Sequence, residues 1–287
     1  MERLRALLPG PLSSNAPIVP VLRLVGPIGV RQSPFQQALS MASVAGPLKK
    51  LFAYKKAAAV AISISSPGGS PVQSNLIFKR IRQLAEENDK KVYVFVEDVA
   101  ASGGYFIAVA GDEIIADPSS IVGSIGVVAA SFGFVEAIDK LGIERRVHTA
   151  GKKKFMFDPF QPEKQEDIER LKSIQQDIHD TFIEVVKSRR REKLRGEGDM
   201  LFSGEFWTGR QGMALGLVDR IGDLRSVLRE EFGEKVVTPL VSSQRRGLFG
   251  FGRAPSFGGS GSEMAHAAAN GLIDAAEARE MWARYGL

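Results

Sequence analysis

A serine stands in a glycine-rich turn that directly follows a strand-like run. Ser102 lies in Val99-Ala100-Ala101-Ser102-Gly103-Gly104-Tyr105-Phe106, after the apolar run Lys91–Val96. Small residues let backbone and substrate approach the hydroxyl, and a following helix would direct its free N–H groups at developing negative charge. The arrangement resembles the nucleophile elbow of acyl-transfer enzymes, without its Gly-x-Ser-x-Gly spacing. Ser-Gly-Gly is also common in ordinary turns, so the motif alone leaves both interpretations open.

A serine nucleophile needs a neighbouring base. The chain has three histidines, His148, His179 and His266. His148 lies beside a strand end and is interpreted as a structural or surface residue, and His179 falls on the polar side of a helical stripe. His266 belongs to the last part of the chain. Each histidine is therefore a weak candidate for the base.

Lysine is the other candidate base. A lysine amine must be neutral to accept a proton, and an apolar pocket favours that form. Lys154 follows Gly151 and precedes Phe155-Met156-Phe157, which could supply an apolar wall. Lys152 and Lys153 could equally form a solvated basic loop, and composition does not choose among the three lysines.

A second glycine-rich turn lies between a predicted strand and a predicted helix, at Ser65-Ser66-Pro67-Gly68-Gly69-Ser70. Its backbone N–H groups could bind an oxyanion or a phosphate. Neither a Walker lysine nor Gly-x-Gly-x-x-Gly spacing accompanies it, so nucleotide binding is unsupported. Two donor turns flanking one serine are more consistent with acyl transfer.

The elements that would position these turns alternate between strand and helix. Predicted strands are 18–25, 57–64, 92–96 and 113–116, and predicted helices are 73–87, 134–142 and 162–191. Strands that are apolar throughout are typical of sheets covered on both faces, and the alternation implies right-handed βαβ crossovers. The fold class is therefore α/β with a mainly parallel sheet flanked by helices. The stripe on the longest helix, from Ile168 to Val185, is expected to face the core.

Composition excludes several kinds of chemistry. The 287-residue chain is 44% hydrophobic and 25% charged and contains no cysteine, which excludes disulfides, thiolate metal sites and a cysteine nucleophile. Its net charge of +5 is scattered over separate clusters, so no nucleic-acid partner is expected. No metal or other cofactor is expected.

The positions of proline, glycine and serine predict four regions: a flexible N-terminal segment at 1–16, a main domain at 17–240 that contains both glycine-rich turns, a linker at 241–263 and a helix at 264–287. Neither a membrane span nor a secretory signal is visible, which predicts a cytoplasmic protein. The basic, phenylalanine-containing stretch at 245–257 could contact an anionic membrane surface, and a plain linker is the favoured alternative.

Five motifs together resemble the signal peptide peptidase A family of serine–lysine peptidases. They are Ser66-Pro67-Gly68-Gly69, Ala101-Ser102-Gly103-Gly104-Tyr105, Gly123-Ser124-Ile125-Gly126-Val127, Gly151-Lys152-Lys153-Lys154 with Asp158-Pro159-Phe160, and Trp207–Gly212 with Gly216–Asp219. The motifs stand in family order within residues 18–235. The resemblance implies the crotonase/Clp-protease-like fold.

The resemblance also implies roles for individual residues. Ser102 would be the nucleophile, Lys154 the base, and Ser124 the residue that holds the lysine amine. The oxyanion hole would come from the Gly68-Gly69 turn and Gly103, through the N–H groups of Gly69 and Gly103. The substrates would be short apolar peptides, such as signal-peptide remnants. A homo-oligomer is also implied, since some family members take the lysine from a neighbouring subunit.

Two alternatives remain open. An acyl-CoA enzyme of the same superfold would bind a thioester carbonyl in the oxyanion hole, without needing Ser102 and Lys154. A non-catalytic binding protein would retain the fold and lose turnover.

Overall fold

The computed structural model describes residues 16–29, 38–151, 153–241, 282–283 and 285. The strands are β1 (Val21–Val25), β2 (Val60–Ser66), β3 (Val92–Ala101), β4 (Glu113–Ala116), β5 (Ile121–Gly123), β6 (Phe206–Thr208), β7 (Arg220–Ile221) and β8 (Leu240–Val241). The helices are α1 (Met41–Phe52), α2 (Pro71–Glu87), α3 (Gly103–Ala108), α4 (Val135–Lys140), α5 (Gln165–Arg190), α6 (Gly198–Leu201), α7 (Gly209–Ala214) and α8 (Leu224–Phe232).

The regions predicted at the two ends of the chain are largely outside this description. Three predicted regions lie outside the described residues except for residues 16, 241, 282–283 and 285: the N-terminal segment at 1–16, the linker at 241–263 and the helix at 264–287. The basic stretch at 245–257 lies wholly outside them. Of the helices that the structure does describe, none combines the length and apolar character needed to cross a bilayer.

The strands form one eight-stranded sheet, in the order β6-β5-β3-β2-β1-β8, with β4 beside β3 and β7 beside β4. Every pairing is parallel except that of β5 with β6. This confirms the α/β class with a mainly parallel sheet flanked by helices. Strand β3 changes partner along its length, because Tyr93–Val96 pair with β4 and Val99–Ala101 pair with β5.

Helices cover the sheet on both faces, which explains why β2 is buried at every position. Successive side chains of a strand point to opposite faces. Val94 therefore joins the large cluster that α1, α2, α3 and α5 complete, whereas Tyr93 joins a smaller cluster with Val227 and Leu228 of α8. The apolar runs of the sequence are thus strands enclosed between two helical layers.

Two helices differ from the sequence-based expectation. Helix α1 was not predicted, because Gly46 and Pro47 interrupt its pattern, yet it forms with a capping box between Ser40 and Ser43. Helix α5 matches its predicted span, but the expectation of a core-facing stripe along its whole length is wrong. Its buried residues are Phe182, Val186 and Arg190, all in the last three turns, and Ile174 is 40% exposed.

A buried ion pair joins the end of α5 to the sheet. Arg190 donates to both carboxylate oxygens of Asp219, at 2.8 and 3.0 Å, and to the Gly216 carbonyl at 2.8 Å. Asp219 also accepts the Ile114 N–H of β4 at 2.8 Å. Burial raises the pKa of the Asp219 carboxyl, but the hydrogen bonds and charge of Arg190 outweigh it and hold that pKa below its usual range.

Candidate active site

Ser102 occupies the junction between β3 and α3. Its backbone adopts φ 51° and ψ −123°, a region that a residue with a side chain rarely occupies. The Ser102 N–H donates to the Gly123 carbonyl at 2.8 Å, and Gly103 opens α3. Such a strained junction persists when the surrounding contacts fix it, and it is common where a reactive side chain is presented.

The glycines after Ser102 are required by close packing. A Cβ at Gly104 would overlap the Ser66 carbonyl oxygen, and one at Gly103 would overlap the Ser74 hydroxyl. The next residue, Tyr105, is fully buried and donates its hydroxyl to the Leu217 carbonyl at 2.8 Å. Helix α3 is thus fixed against β2 on one side and against the Gly216–Asp219 motif on the other.

The Gly68-Gly69 turn reaches the same point from the end of β2. Both glycines have positive φ, 103° and 137°, and a Cβ at Gly69 would overlap the Ile28 carbonyl oxygen. A Cβ at Gly68 would stand 2.8 Å from the Ser102 Cβ. Only a glycine permits this approach, so the turn lies directly against the nucleophile candidate.

Two backbone donors converge beside Ser102. The Gly69 nitrogen lies 3.3 Å from the ideal Cβ position of Gly103, which places these two residues side by side. Among the described residues, neither the Gly69 N–H nor the Gly103 N–H has a hydrogen-bond acceptor. Paired, unsatisfied N–H groups next to a serine hydroxyl are what an oxyanion hole requires.

Ser124 lies next to Ser102 because the strands before them are in register. Ala101 pairs with Gly123 in the parallel β3–β5 ladder, so the two serines occupy the next position on neighbouring strands. Ser124 has φ 53°, and its N–H donates to the Glu205 carbonyl at 2.7 Å. Ser102, Ser124 and Gly69 line one cleft of about 510 Å³.

Lys154 is placed elsewhere. It is exposed, and it is absent from the described residues that line the cleft. Its neighbours Phe155 and Phe157 line a separate cavity of about 220 Å³, while Lys153 pairs with Glu166 on α5. The structure of one chain thus brings together the two serines and the glycines, and leaves the predicted base outside the cleft.

The segment that carries Lys154 is largely exposed to solvent in the single chain. We call residues 128–151 and 153–164 the arm; Asp158 is its one buried residue. Seven large apolar side chains of the arm are exposed: Val128, Phe132, Phe134, Leu141, Ile143, Phe155 and Phe157. Exposed apolar patches of this kind mark interaction surfaces.

The two acidic side chains of β3, the strand that leads to Ser102, are not placed to act as a base instead of Lys154. Glu97, in the middle of β3, receives hydrogen bonds from Arg23 of β1 and from Ser63 of β2. Burial raises its pKa, but these hydrogen bonds outweigh burial, so its pKa lies below the usual range. Asp98 accepts from Ser65, and neither carboxylate lines the cleft of Ser102.

Two contacts near the site were not predicted: that of His179, considered above only as a weak candidate for the base, and that of Tyr285. His179 of α5 places its Nε2 3.0 Å from the Ile125 carbonyl, in the turn that carries Ser124. Tyr285 lines the cleft and donates its hydroxyl to Ser124 Oγ at 3.2 Å. Each contact joins residues that are far apart in sequence, and no local pattern indicates it.

Comparison with known proteins finds relatives named as an antiporter and relatives named as proteases. The chain is 58% identical over 289 residues to a Brucella abortus (strain 2308) protein named Na(+)/H(+) antiporter NhaA, covering 99% of this chain and 39% of that protein. It is 33% identical over 171 residues to the chloroplastic serine protease SPPA of Arabidopsis thaliana, covering 59% and 25%. It is 31% identical over 194 residues to protease 4 of Haemophilus influenzae, covering 66% and 30%. The chain thus spans well under half the length of each of these relatives.

The model of peptidase family S49 matches residues 85–237. This match begins within α2 and ends after α8, so it includes both serines of the cleft, the arm and the Gly216–Asp219 motif. The chain belongs to peptidase family S49.

Proposed function

We propose that the chain is a serine endopeptidase that hydrolyses short apolar peptides with Ser102 as nucleophile and Lys154 as general base. The observation that carries the proposal is the convergence of the strained Ser102 junction with the N–H groups of Gly69 and Gly103, which have no acceptor in the part of the chain that the structure describes. Membership of family S49 supports the class of reaction.

The reaction follows from these groups. Ser102 Oγ attacks the scissile carbonyl carbon while a neutral lysine amine takes the hydroxyl proton. The carbonyl oxygen becomes an oxyanion that accepts the Gly69 and Gly103 N–H groups. Collapse of this intermediate breaks the C–N bond, and the lysine ammonium returns its proton to the leaving amine. Water, deprotonated by the same lysine, then hydrolyses the acyl ester and regenerates Ser102.

We further propose that the lysine reaches the cleft from a second subunit. Lys154 is exposed and lies outside the cleft, and the arm that carries it exposes seven large apolar side chains. A second copy of the chain would bury those side chains. Contact with a neighbouring cleft would also desolvate the amine, which favours the neutral form that a base needs.

The first experiment measures hydrolysis of an internally quenched apolar peptide. Ser102→Ala and Lys154→Ala are each expected to lower kcat by at least about 10³-fold. Lys153→Ala is the matched control, because its lysine is adjacent and pairs with Glu166; it should retain turnover. Unchanged turnover in Ser102→Ala would overturn the nucleophile assignment, and unchanged turnover in Lys154→Ala would overturn the base.

The second experiment tests the donation between subunits. Co-expressed Ser102→Ala and Lys154→Ala chains should regain activity at roughly a quarter of the sites, since random assembly pairs an intact serine with a neighbour's intact lysine at that frequency. Each variant alone stays inactive. Failure of the mixture to recover would show that Lys154 acts within its own chain.

A further inference from the structure

Ser124 lies in a turn that backbone hydrogen bonds hold in place. We call residues 123–126 the serine turn. The Ser124 N–H donates to the Glu205 carbonyl at 2.7 Å, and the Ser102 N–H donates to the Gly123 carbonyl at 2.8 Å. The turn is therefore bonded directly to the backbone of Ser102, and a shift of the turn would move the Ser124 hydroxyl relative to the Ser102 hydroxyl.

One side chain also binds the serine turn. His179 of α5 places its Nε2 3.0 Å from the carbonyl oxygen of Ile125, a fully buried residue. A carbonyl oxygen can only accept a hydrogen bond, so Nε2 must carry the hydrogen and donate it. Among the residues that the structure describes, no other donor reaches this carbonyl. Nε2 therefore has no lone pair with which to take a proton from Ser102, and this nitrogen does not act as the base.

The helix that presents His179 is itself packed next to Ser102. Phe182 follows His179 by three residues, which places both on one face of α5. The Phe182 ring stacks on Phe106 of α3 with ring centroids 4.8 Å apart, and the Phe106 N–H donates to the Ser102 carbonyl at 3.0 Å. Helix α5 thus contacts both the helix that follows Ser102 and the turn that carries Ser124, so it can set the spacing of the two serines.

We propose that His179 is a positioning residue, which holds the Ser124 hydroxyl in place through the Ile125 carbonyl. The proposal rests on the proposed function and on the role of Ser124 in holding the amine of Lys154. Helix α5 begins at Gln165, directly after the arm, so one helix joins the segment that carries the lysine to the turn that carries Ser124. A displaced turn slows proton transfer and leaves substrate binding intact, because the Ser124 hydroxyl serves the amine.

The first measurement is steady-state hydrolysis of the internally quenched apolar peptide by full-length variants. The amide of His179→Asn is too short to reach the Ile125 carbonyl, so kcat should fall about tenfold, the effect of losing one hydrogen bond, with KM within about twofold of wild type. His179→Gln carries an N–H about as far from the backbone as Nε2 and should keep kcat within about threefold of wild type.

Asp180→Asn is the matched control for these variants. It introduces asparagine at the adjacent, exposed position of α5 and keeps the oxygen that accepts from Gln176, so kcat and KM should not change. A wild-type kcat in His179→Asn would overturn the proposal. Failure of His179→Gln to restore kcat, or a rise in KM as large as the fall in kcat, would do the same.

The second measurement separates positioning from a general loosening of the fold. Ser124→Ala should lower kcat, because the lysine amine loses its hydroxyl partner. If His179 acts through that hydroxyl, adding His179→Asn to Ser124→Ala should lower kcat by no more than about twofold further. Additive losses would show that His179 affects turnover by another route and would refute the proposal.

The third measurement requires no turnover. In hydrogen–deuterium exchange of the substrate-free chain, His179→Asn should speed exchange of the amides in the serine turn about tenfold, whereas His179→Gln should not. If this pattern holds and no peptide is hydrolysed, the peptidase assignment fails and the anchoring of the turn by His179 stands. If peptide is hydrolysed and exchange in the turn is the same in all three proteins, the peptidase assignment stands and the role given to His179 is wrong.

Discussion

Replacing Asp219 with asparagine will destabilise the fold by about 3–5 kcal/mol, because the substitution leaves the Arg190 guanidinium buried without its counter-charge. The side chains of Arg190 and Asp219 are 2% and 13% exposed, so water cannot solvate the guanidinium in place of the carboxylate. Asparagine has nearly the same size as aspartate, so the loss reflects charge and hydrogen bonding, with no cavity. Lys193 also contacts Asp219, but its half-exposed amine contributes little.

The assay is guanidinium unfolding followed by tryptophan fluorescence and circular dichroism. Asp112→Asn is the matched control, because Asp112, like Asp219, pairs with two basic side chains, here Arg82 and Arg189, but its own side chain is 30% exposed. The control should cost about 1 kcal/mol or less. If Asp219→Asn proved no more costly than Asp112→Asn, with equal denaturant slopes, the argument from burial would be refuted.

The same comparison has a defined pH dependence. The folded-state pKa of Asp219 lies below the ordinary value of 3.8, so its contribution is fully present above the unfolded pKa and is lost as the pH falls through the folded pKa. The difference in unfolding free energy between wild type and Asp219→Asn should be constant from about pH 5 upward and should narrow below about pH 4.

Three further substitutions test the packing around Ser102. Gly104→Ala places a methyl against the Ser66 carbonyl and should cost about 1–3 kcal/mol and reduce peptide turnover, both measured on one preparation. Phe182→Ala removes a buried ring stacked on Phe106 with centroids 4.8 Å apart; it should cost about 3–5 kcal/mol in chemical unfolding. Tyr105→Phe leaves a carbonyl without its donor and should cost about 1–3 kcal/mol, with a matching fall in Tm in scanning calorimetry.

The sequence carries enough local information to predict the central strands. The runs that became β2 and β4 are mostly apolar and are buried at every position of β2 and at all but the first of β4, because helices cover both faces of the sheet. Strand β3 extends five residues beyond the predicted end at Val96. The prediction ended there because Glu97 interrupts the apolar pattern. In the folded sheet, Arg23 and Ser63 on the neighbouring strands hydrogen-bond the Glu97 carboxylate, and no local sequence pattern indicates these contacts.

The site was predictable to the extent that it is built from local turns. Ser102 and the Gly68-Gly69 turn each follow a strand, and neighbouring parallel strands bring their ends to one edge. The contacts of Tyr285 and His179 join residues 161 and 54 positions apart, and the sequence near either residue does not indicate its partner. The position of Lys154 likewise cannot be predicted from the residues around it, because apolar neighbours can face either a pocket or another subunit.

Because β3 changes partner along its length, its two portions are expected to differ in the free energy of local opening. Among the described strands, β3 pairs with three others: β2 along most of its length, then β4 at Tyr93–Val96 and β5 at Val99–Ala101. Amide protons of the first portion should exchange with solvent only on global unfolding. Those next to Ser102 should exchange through a smaller, local opening, in which the antiparallel pair β5 and β6 separates from β3 by itself. The positive-φ backbone of Ser102 and Ser124 thus lies beside a part of the sheet that is expected to open without unfolding the core.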